Sequence, residues 1–344
     1  SATAFNQQFT INGNVEIGSN DGFKLHLNGS GTPTNLNGSV TVLGDFIVGL
    51  GVTSFTNDGG SGSPARIGLF MRGGTLADPN ILDVTPVAVA VPITIGNGTL
   101  PTFVRLRTQD LVTNSVASYT AAITVSNNAL FDFGFNTLGT TALNIRKTTT
   151  LPAGINTFLS NQGSTLVITS PDGIQQASGT TGNVQYTTAN KTFNQLATFW
   201  YQGRANQVTG DALTTASSGK VVIVELNALS TTLTLTNGTG ITSAPTIDAL
   251  GGKLEIRQGT LVSSATAPVT SDGRLVMSGG AYRIAELALC PQLTGTYTLT
   301  AGTINLDGAG NQILRGARDY VNLAFSNSGT KTLSTALPAN SLND

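Results

Sequence analysis

The sequence predicts an all-β fold, and it favours a β-solenoid (parallel β-helix) over tandem β-sandwich domains. Three observations lead there: a low charge content, frequent turn-forming dipeptides and internal repetition. Only 10% of the 344 residues are charged and 41 are glycine, whereas soluble domains usually carry about 25% charged residues. This composition is typical of many short strands joined by tight turns.

Asn-Gly and Asp-Gly dipeptides divide the chain into short stretches. Both favour turns in which the backbone φ angle becomes positive. The ten pairs begin at Asn12, Asp21, Asn28, Asn37, Asp58, Asn97, Asp172, Asn237, Asp272 and Asp307. Between them, stretches such as residues 23–27 and 253–257 alternate apolar and polar side chains, which predicts strands with one buried face. Residues 281–290, followed by Pro291, are the best helical candidate, and we expect little or no helix.

Internal repetition is the third observation. Residues 143–154, 221–235 and 321–333 each combine an apolar strand, a small polar turn and a strand of Thr and Leu. Upstream of the last two, residues 201–210 and 306–316 share a glycine, then Asn-Gln with an aliphatic residue, then another glycine. Thr, Asn, Val and Ile positions that can stack on their counterparts in neighbouring coils favour the solenoid. The absence of the Trp and Cys landmarks of immunoglobulin domains also favours it over β-sandwiches.

The predicted organisation has two regions. Residues 1–125 form an N-terminal β-rich region, and residues 126–344 form a repeat-containing solenoid region that is continuous with it. The number of domains does not follow from the length alone, because a solenoid of 344 residues can be one continuous unit.

Catalytic and metal-binding residues are not expected. The single histidine, His26, lies in a predicted strand, and no Asp-Asp or Asp-x-Asp pair suggests glycoside hydrolysis. One histidine and one cysteine leave too few ligands for a transition-metal site, and we expect Cys290 to be a small buried residue. No cofactor is predicted, although a weak structural calcium ion stays open at loops such as residues 57–60.

The charge distribution and hydropathy exclude other partners. The formal net charge is -1 and charged residues are scattered singly, so we expect neither nucleic acid nor anionic lipid as a partner. No apolar stretch is long enough to span a membrane.

One group of side chains is a candidate ligand contact. Residues 199–201 are the only aromatic triplet, and consecutive strand residues face opposite sides, so Trp200 or Tyr201 is expected at the surface. With Arg204 nearby, these residues are the candidate contacts for a glycan or protein partner. The alternative function is therefore a glycan-binding or carbohydrate-active β-helix module.

The motif Tyr-x-Gly-x-x-Asn-Gln-Val-x-Gly at residues 201–210, followed by Thr-Leu-Thr-Leu-Thr-Asn-Gly-Thr at 232–239, carries a family resemblance. So does Gly-Ala-Gly-Asn-Gln-Ile-Leu-Arg-Gly at 308–316, which leads into residues 321–333. Over residues 126–340 the chain resembles repeat modules of Bacteroidetes gliding or adhesion proteins exported by the type IX secretion system. The resemblance implies an extracellular, cell-surface location.

These observations together predict a structural or adhesive surface protein, a filament subunit or an adhesin segment, and not an enzyme. Unpaired strand edges are templates for further pairing, so the expected partners are further copies of the chain, other surface proteins and glycans. A viral or phage fibre would have the same sequence features, so it is kept as an alternative to a bacterial surface protein.

Overall fold

The computed structural model is an all-β protein, as predicted. It describes residues 5–17, 22–26, 36–48, 54–58, 66–84, 91–108, 110–113, 122–135, 142–147, 158–174, 180–186, 190–194, 196–210, 213, 221–235, 252–264, 266–267, 269–271, 273–287 and 289–335. None of these residues lies in an α-helix. The helical candidate at 281–290 is wrong, because Arg274–Ile284 is a single strand there.

The chain forms two compact units. One contains Ser1–Val167 and Asn183–Asn194, and the other contains Ile168–Gly182 and Gln195–Asp344. Below they are called unit 1 and unit 2. The boundary after residue 125 stays a prediction.

Unit 1 consists of three series of parallel strands. The first series pairs in the order β1 (Phe5–Ile11), β4 (Leu36–Val42), β7 (Arg66–Met71), β9 (Ile93–Ile95), β12 (Ile123–Val125), β15 (Phe158–Ser160) and β18 (Lys191–Phe193). The second series pairs in the order β2 (Val15–Ile17), β5 (Phe46–Val48), β8 (Asn80–Val84), β10 (Thr102–Leu106), β13 (Ala129–Asp132) and β16 (Thr165–Ile168). The third contains β3 (Gly22–His26) paired with β6 (Ser54–Asp58), and β11 (Asp110–Thr113), β14 (Asn144–Lys147) and β17 (Val184–Gln185) in that order. Paired residues of neighbouring strands in a series lie between 24 positions (Asn80 and Val104) and 39 positions (Ile145 and Val184) apart in sequence, which is a repeat-protein spacing.

The core of unit 1 is made by equivalent residues that stack from strand to strand. Leu69 lies opposite Ile93, and Ile93 lies opposite Ile123. All three are buried, while the residue after each of them faces outward. The alternation that predicted strands in the sequence therefore separates a stacked apolar interior from a more polar exterior.

Unit 2 is also built from parallel strands. Its largest sheet follows the order β19 (Thr198–Tyr201), β21 (Val221–Glu225), β23 (Lys253–Gln258), β26 (Arg274–Ile284), β24 (Thr260–Ser263), β22 (Thr232–Thr234) and β20 (Gln207–Val208). In addition, β29 (Tyr297–Leu306) pairs with β26, and β31 (Asn322–Phe325) pairs with β29, both in parallel. The smaller sheets pair β25 (Thr270–Ser271) with β28 (Gln292–Leu293), and β27 (Leu289–Cys290) with β30 (Gln312–Leu314) and β32 (Lys331–Leu333).

The strand β26 turns a corner at a glycine. Its first half pairs with β23 and its second half with β24. Gly280 has a φ of 66°, and a Cβ there would lie 2.5 Å from the carbonyl oxygen of Gly259. Only glycine fits both the backbone angle and the close stacking at this corner.

Candidate functional site

The structure separates the two aromatic residues that the sequence proposed as ligand contacts. Tyr201 is 0% exposed, and its hydroxyl donates a hydrogen bond to the carbonyl oxygen of Thr209 at 2.9 Å. It belongs to the core, which corrects its prediction as a contact residue. Trp200 faces the other side of β19 and is 9% exposed, while Arg204 is exposed in the turn that follows.

The indole of Trp200 is covered by a charged network on the same sheet. The guanidinium carbon of Arg257 lies 5.0 Å from the centroid of the Trp200 ring, within cation–π range. Arg257 also pairs with Glu255 at 2.7 Å and with Glu225 at 3.0 Å. Lys253 Nζ lies 2.6 Å from the second oxygen of Glu255. Two cations and two carboxylates therefore neutralise one another beside Trp200.

The pKa shifts agree with this pairing. Burial alone would raise the pKa of Glu255, but hydrogen bonds from Arg257 and Lys253 outweigh burial and lower it. Burial likewise opposes the charge of Arg257, yet hydrogen bonds to Glu255 and Glu225 raise its pKa. Glu255 and Arg257 therefore stay charged at neutral pH, and their ion pair stabilises this face of the sheet.

The repeated Asn-Gln motif has a structural role that the sequence did not reveal. In what we call the first corner (Gly203, Asn206 and Gln207), the buried Gln207 accepts a hydrogen bond from the Gly203 amide at 2.9 Å. Its Nε2 donates to the carbonyl oxygen of Ser170 at 2.8 Å and, more weakly, to that of Ile168 at 3.4 Å. One side chain thus satisfies three backbone groups, two of them 37 and 39 residues earlier in the chain.

The second corner (Gly308, Asn311 and Gln312) repeats this arrangement. Gln312 is buried and accepts from the Gly308 amide at 2.9 Å. Its Nε2 donates to the carbonyl oxygens of Ile284 at 2.9 Å and Glu286 at 2.6 Å. A Cβ on Gly308 would lie 2.8 Å from the Gln312 amide carbon, which explains why the motif needs glycine at this position.

The asparagine of each corner extends the contact to the following strand. Asn206 Oδ1 accepts a hydrogen bond from the Thr232 amide at 3.0 Å, and Asn311 Oδ1 accepts one from the Thr330 amide at 2.8 Å. We call each run of the chain through the stacked strands a pass. The Asn-Gln pair joins three successive passes, because the glutamine binds the preceding pass and the asparagine binds the following one. The shared positions of the motif that carries the resemblance, glycine, asparagine and glutamine, therefore have a structural role in these corners.

Beside the second corner lies a buried carboxyl group. Glu286 is 3% exposed, and its Oε2 finds no hydrogen-bond partner among the described residues. Burial raises the pKa of Glu286, although the Ser263 hydroxyl and the amides of Glu286 and Val269 act in the opposite direction. Tyr282 is buried next to it, and burial together with the charge of Glu286 raises the tyrosine pKa well above its usual value.

Cys290 is buried, as expected, and its thiol donates to the carbonyl oxygen of Glu286 at 3.4 Å. In the part of the chain that the structure describes, no group of three or more His, Cys, Asp or Glu side chains is placed to hold a metal ion. The loop at 57–60 lies partly outside the described residues. No helix among the described residues is both long and apolar enough to cross a membrane.

The chain was compared with family models, curated proteins and solved structures, and none of them matches it.

Proposed function

We propose that this chain is a segment of an extracellular structural or adhesive surface protein, built as a parallel β-solenoid. The observation that carries the proposal is the stapled stack: parallel strands in repeated series, joined at recurrent corners by buried glutamines. Such an arrangement resists bending and unravelling because neighbouring strands are bonded through their backbones and, at the two corners of unit 2, through buried side chains as well. Parallel pairing also supports a solenoid over tandem sandwiches, whose sheets are antiparallel.

The edges of the strand series suggest how copies assemble. In unit 1, β1 pairs only with β4 among the described strands, and Phe9 on it is 58% exposed. In unit 2, β31 pairs only with β29 among the described strands, and Phe325 is also 58% exposed. Both edges offer unpaired backbone groups beside apolar side chains, which is the chemistry of strand addition. We propose that β1 of one copy adds to β31 of another.

The glycan-binding alternative has less support. Tyr201 is in the core, and Trp200 is covered by Arg257. An exposed aromatic platform for stacking a sugar ring is therefore missing at the residues that the sequence suggested.

Electron microscopy of the purified protein tests the proposal. We expect regular fibres, and we expect Phe9→Lys and Phe325→Lys to shorten or abolish them, because an edge lysine opposes strand addition. Leu100→Lys is the matched control: Leu100 is 64% exposed but lies outside the strands, so its fibres should stay intact. Monodisperse particles at high protein concentration would contradict assembly. Short rods that bind a glycan array through Trp200 would favour the alternative.

A further inference from the structure

Two arginines at the end of unit 2 carry positive charge that no described carboxylate neutralises. Arg315 and Arg318 follow β30, and neither forms an ion pair within the described part of the chain. Instead, Arg315 Nε donates to the carbonyl oxygen of Pro291 at 3.1 Å, and Arg318 Nη2 donates to that of Thr294 at 3.0 Å. This differs from Arg257, whose charge is shared between two glutamates.

Both guanidinium groups lie beside the same tyrosine. The Arg318 guanidinium carbon is 5.1 Å from the ring centroid of Tyr297, and Arg315 lies near enough for its charge to act on the Tyr297 hydroxyl. Burial raises the pKa of Tyr297 to about 12, and the two arginine charges act against that rise. Tyr297 is itself held by Tyr320, which packs against it edge to face with ring centroids 6.2 Å apart. Both cations therefore lie beside the same pair of packed aromatic rings.

The remaining donors of this pair point to a ligand. Nε of Arg318 is buried and has no acceptor among the described residues. A buried N–H group without an acceptor costs roughly 1–3 kcal/mol, and more when it is charged. That atom is closed to solvent, and the Nη groups of Arg318 donate to the carbonyls of Ala317 and Thr294. Arg315 donates only through Nε among the described residues, so an oxyanion would accept from its Nη groups and supply the missing negative charge for both arginines.

We propose that Arg315 and Arg318 form a binding site for one oxyanion group, the carboxylate of an acidic saccharide. The planar fork of a guanidinium matches a carboxylate, and two cations suit a single anionic group better than a polyanion. That the carboxylate belongs to a saccharide rests on the proposed extracellular function. The anion site itself rests only on the two arginines and their surroundings.

Calorimetric titration at low salt tests the site, with a galacturonate trisaccharide as the probe and a neutral galactose trisaccharide as its control. We expect saturable binding of the acidic sugar only, weakened by added salt. Arg315→Gln and Arg318→Gln should each weaken it about tenfold, since one charge-assisted hydrogen bond is lost. Arg274→Gln removes the same charge from an exposed position elsewhere in unit 2 and should leave binding unchanged.

A second variant guards against misfolding as the cause of lost binding. Asp319 is exposed and directly follows Arg318, so its carboxylate competes with the ligand. Asp319→Asn should strengthen binding a few-fold, whereas damage to the fold does not produce a gain. Absence of binding in the unmodified protein, or equal binding by Arg318→Gln, would overturn the proposal.

Titration with inorganic sulfate tests whether the site recognises the saccharide or only its anionic group. We expect the galacturonate probe to bind at least tenfold more tightly than sulfate. Equal affinities would refute the saccharide and show a site that accepts any small oxyanion. These titrations use dispersed protein below the concentration of any fibre, so they fail or succeed independently of the assembly seen by electron microscopy.

Discussion

The two corners of unit 2 use the same three residues for the same bonds, yet their surroundings differ. Gln207 and Gln312 each accept from a glycine amide four residues earlier and donate to two carbonyl oxygens of the preceding pass. The first corner donates to the carbonyls of Ile168 and Ser170, and the second to those of Ile284 and Glu286. The backbone geometry is thus duplicated, although Ser170 in one copy is replaced by Glu286 in the other.

The position opposite the glutamine differs as well. Gln207 lies opposite Leu233, which is fully buried, whereas Gln312 lies opposite Lys331. Lys331 Nζ donates to three carbonyl oxygens: those of Gly308 at 2.6 Å, Gly310 at 3.0 Å and Ser328 at 3.1 Å. The Asn-Gln staple therefore tolerates a charged neighbour, provided that the backbone groups at the corner remain paired.

Removing the glutamines should have the largest effect. Gln207→Met and Gln312→Met keep the side-chain volume but leave the glycine amide of the buried corner unpaired, whereas each carbonyl keeps one other donor. We expect each to lower the free energy of unfolding by roughly 2–3 kcal/mol, because an unpaired buried amide costs about 1–3 kcal/mol and one hydrogen bond to each carbonyl is lost as well. Urea unfolding measures this loss. Gln258→Met, at an exposed position, is the control, and an equally large loss there would contradict the staple.

Substitution of the residue that lies opposite each glutamine should have the second-largest effect on stability. Lys331→Met should cost about 2 kcal/mol, since it removes charge-assisted hydrogen bonds to three carbonyls. In the first corner, Leu233→Met conserves volume and should cost less than about 1.5 kcal/mol. Thermal unfolding of the two variants compares them directly. If Leu233→Met were the more damaging change, the charged contact of the second corner would have no stabilising role.

Glu286 should make the second corner sensitive to pH. Its pKa lies above the usual 4.5 in the folded protein, so the folded state is most stable below that value and loses stability as pH rises through the higher folded pKa. Glu286→Gln should remove this loss and should be more stable than the unmodified protein at neutral pH. Unfolding midpoints measured between acidic and neutral pH test the prediction. Parallel pH profiles for the two proteins would exclude Glu286 as the source.

The asparagines should give the smallest effect, and an equal one in both corners. Asn206→Ala and Asn311→Ala each remove one exposed hydrogen bond to the next pass, so we expect a loss of about 0.5–1 kcal/mol. Amide hydrogen exchange at Thr232 and Thr330 should quicken in the respective variant. Unchanged protection would show that water replaces the asparagine without cost.

Much of the fold could be predicted from the sequence. The strand–turn–strand pattern predicted at 221–235 and 321–333 is present as β21 with β22 and as β31 with β32. The candidate site was predicted less well: alternation indicated that Trp200 and Tyr201 face opposite sides, but it did not say that Arg257 covers Trp200. Glu286, Arg315 and Arg318 were missed, since their chemistry comes from neighbours on other chain passes.

Properties that depend on adjacent residues could be recognised in the sequence: strand type, turn positions and the repetition of the Asn-Gln motif. Alternation, turn chemistry and glycine placement act over a few residues, so they can be recognised without the fold. Which backbone groups the two glutamines bind, and which charges lack an ion-pair partner among the described residues, became apparent only in the folded chain. These contacts join residues 26 to 39 positions apart, and their partners are set by the stacking register, which no local pattern specifies.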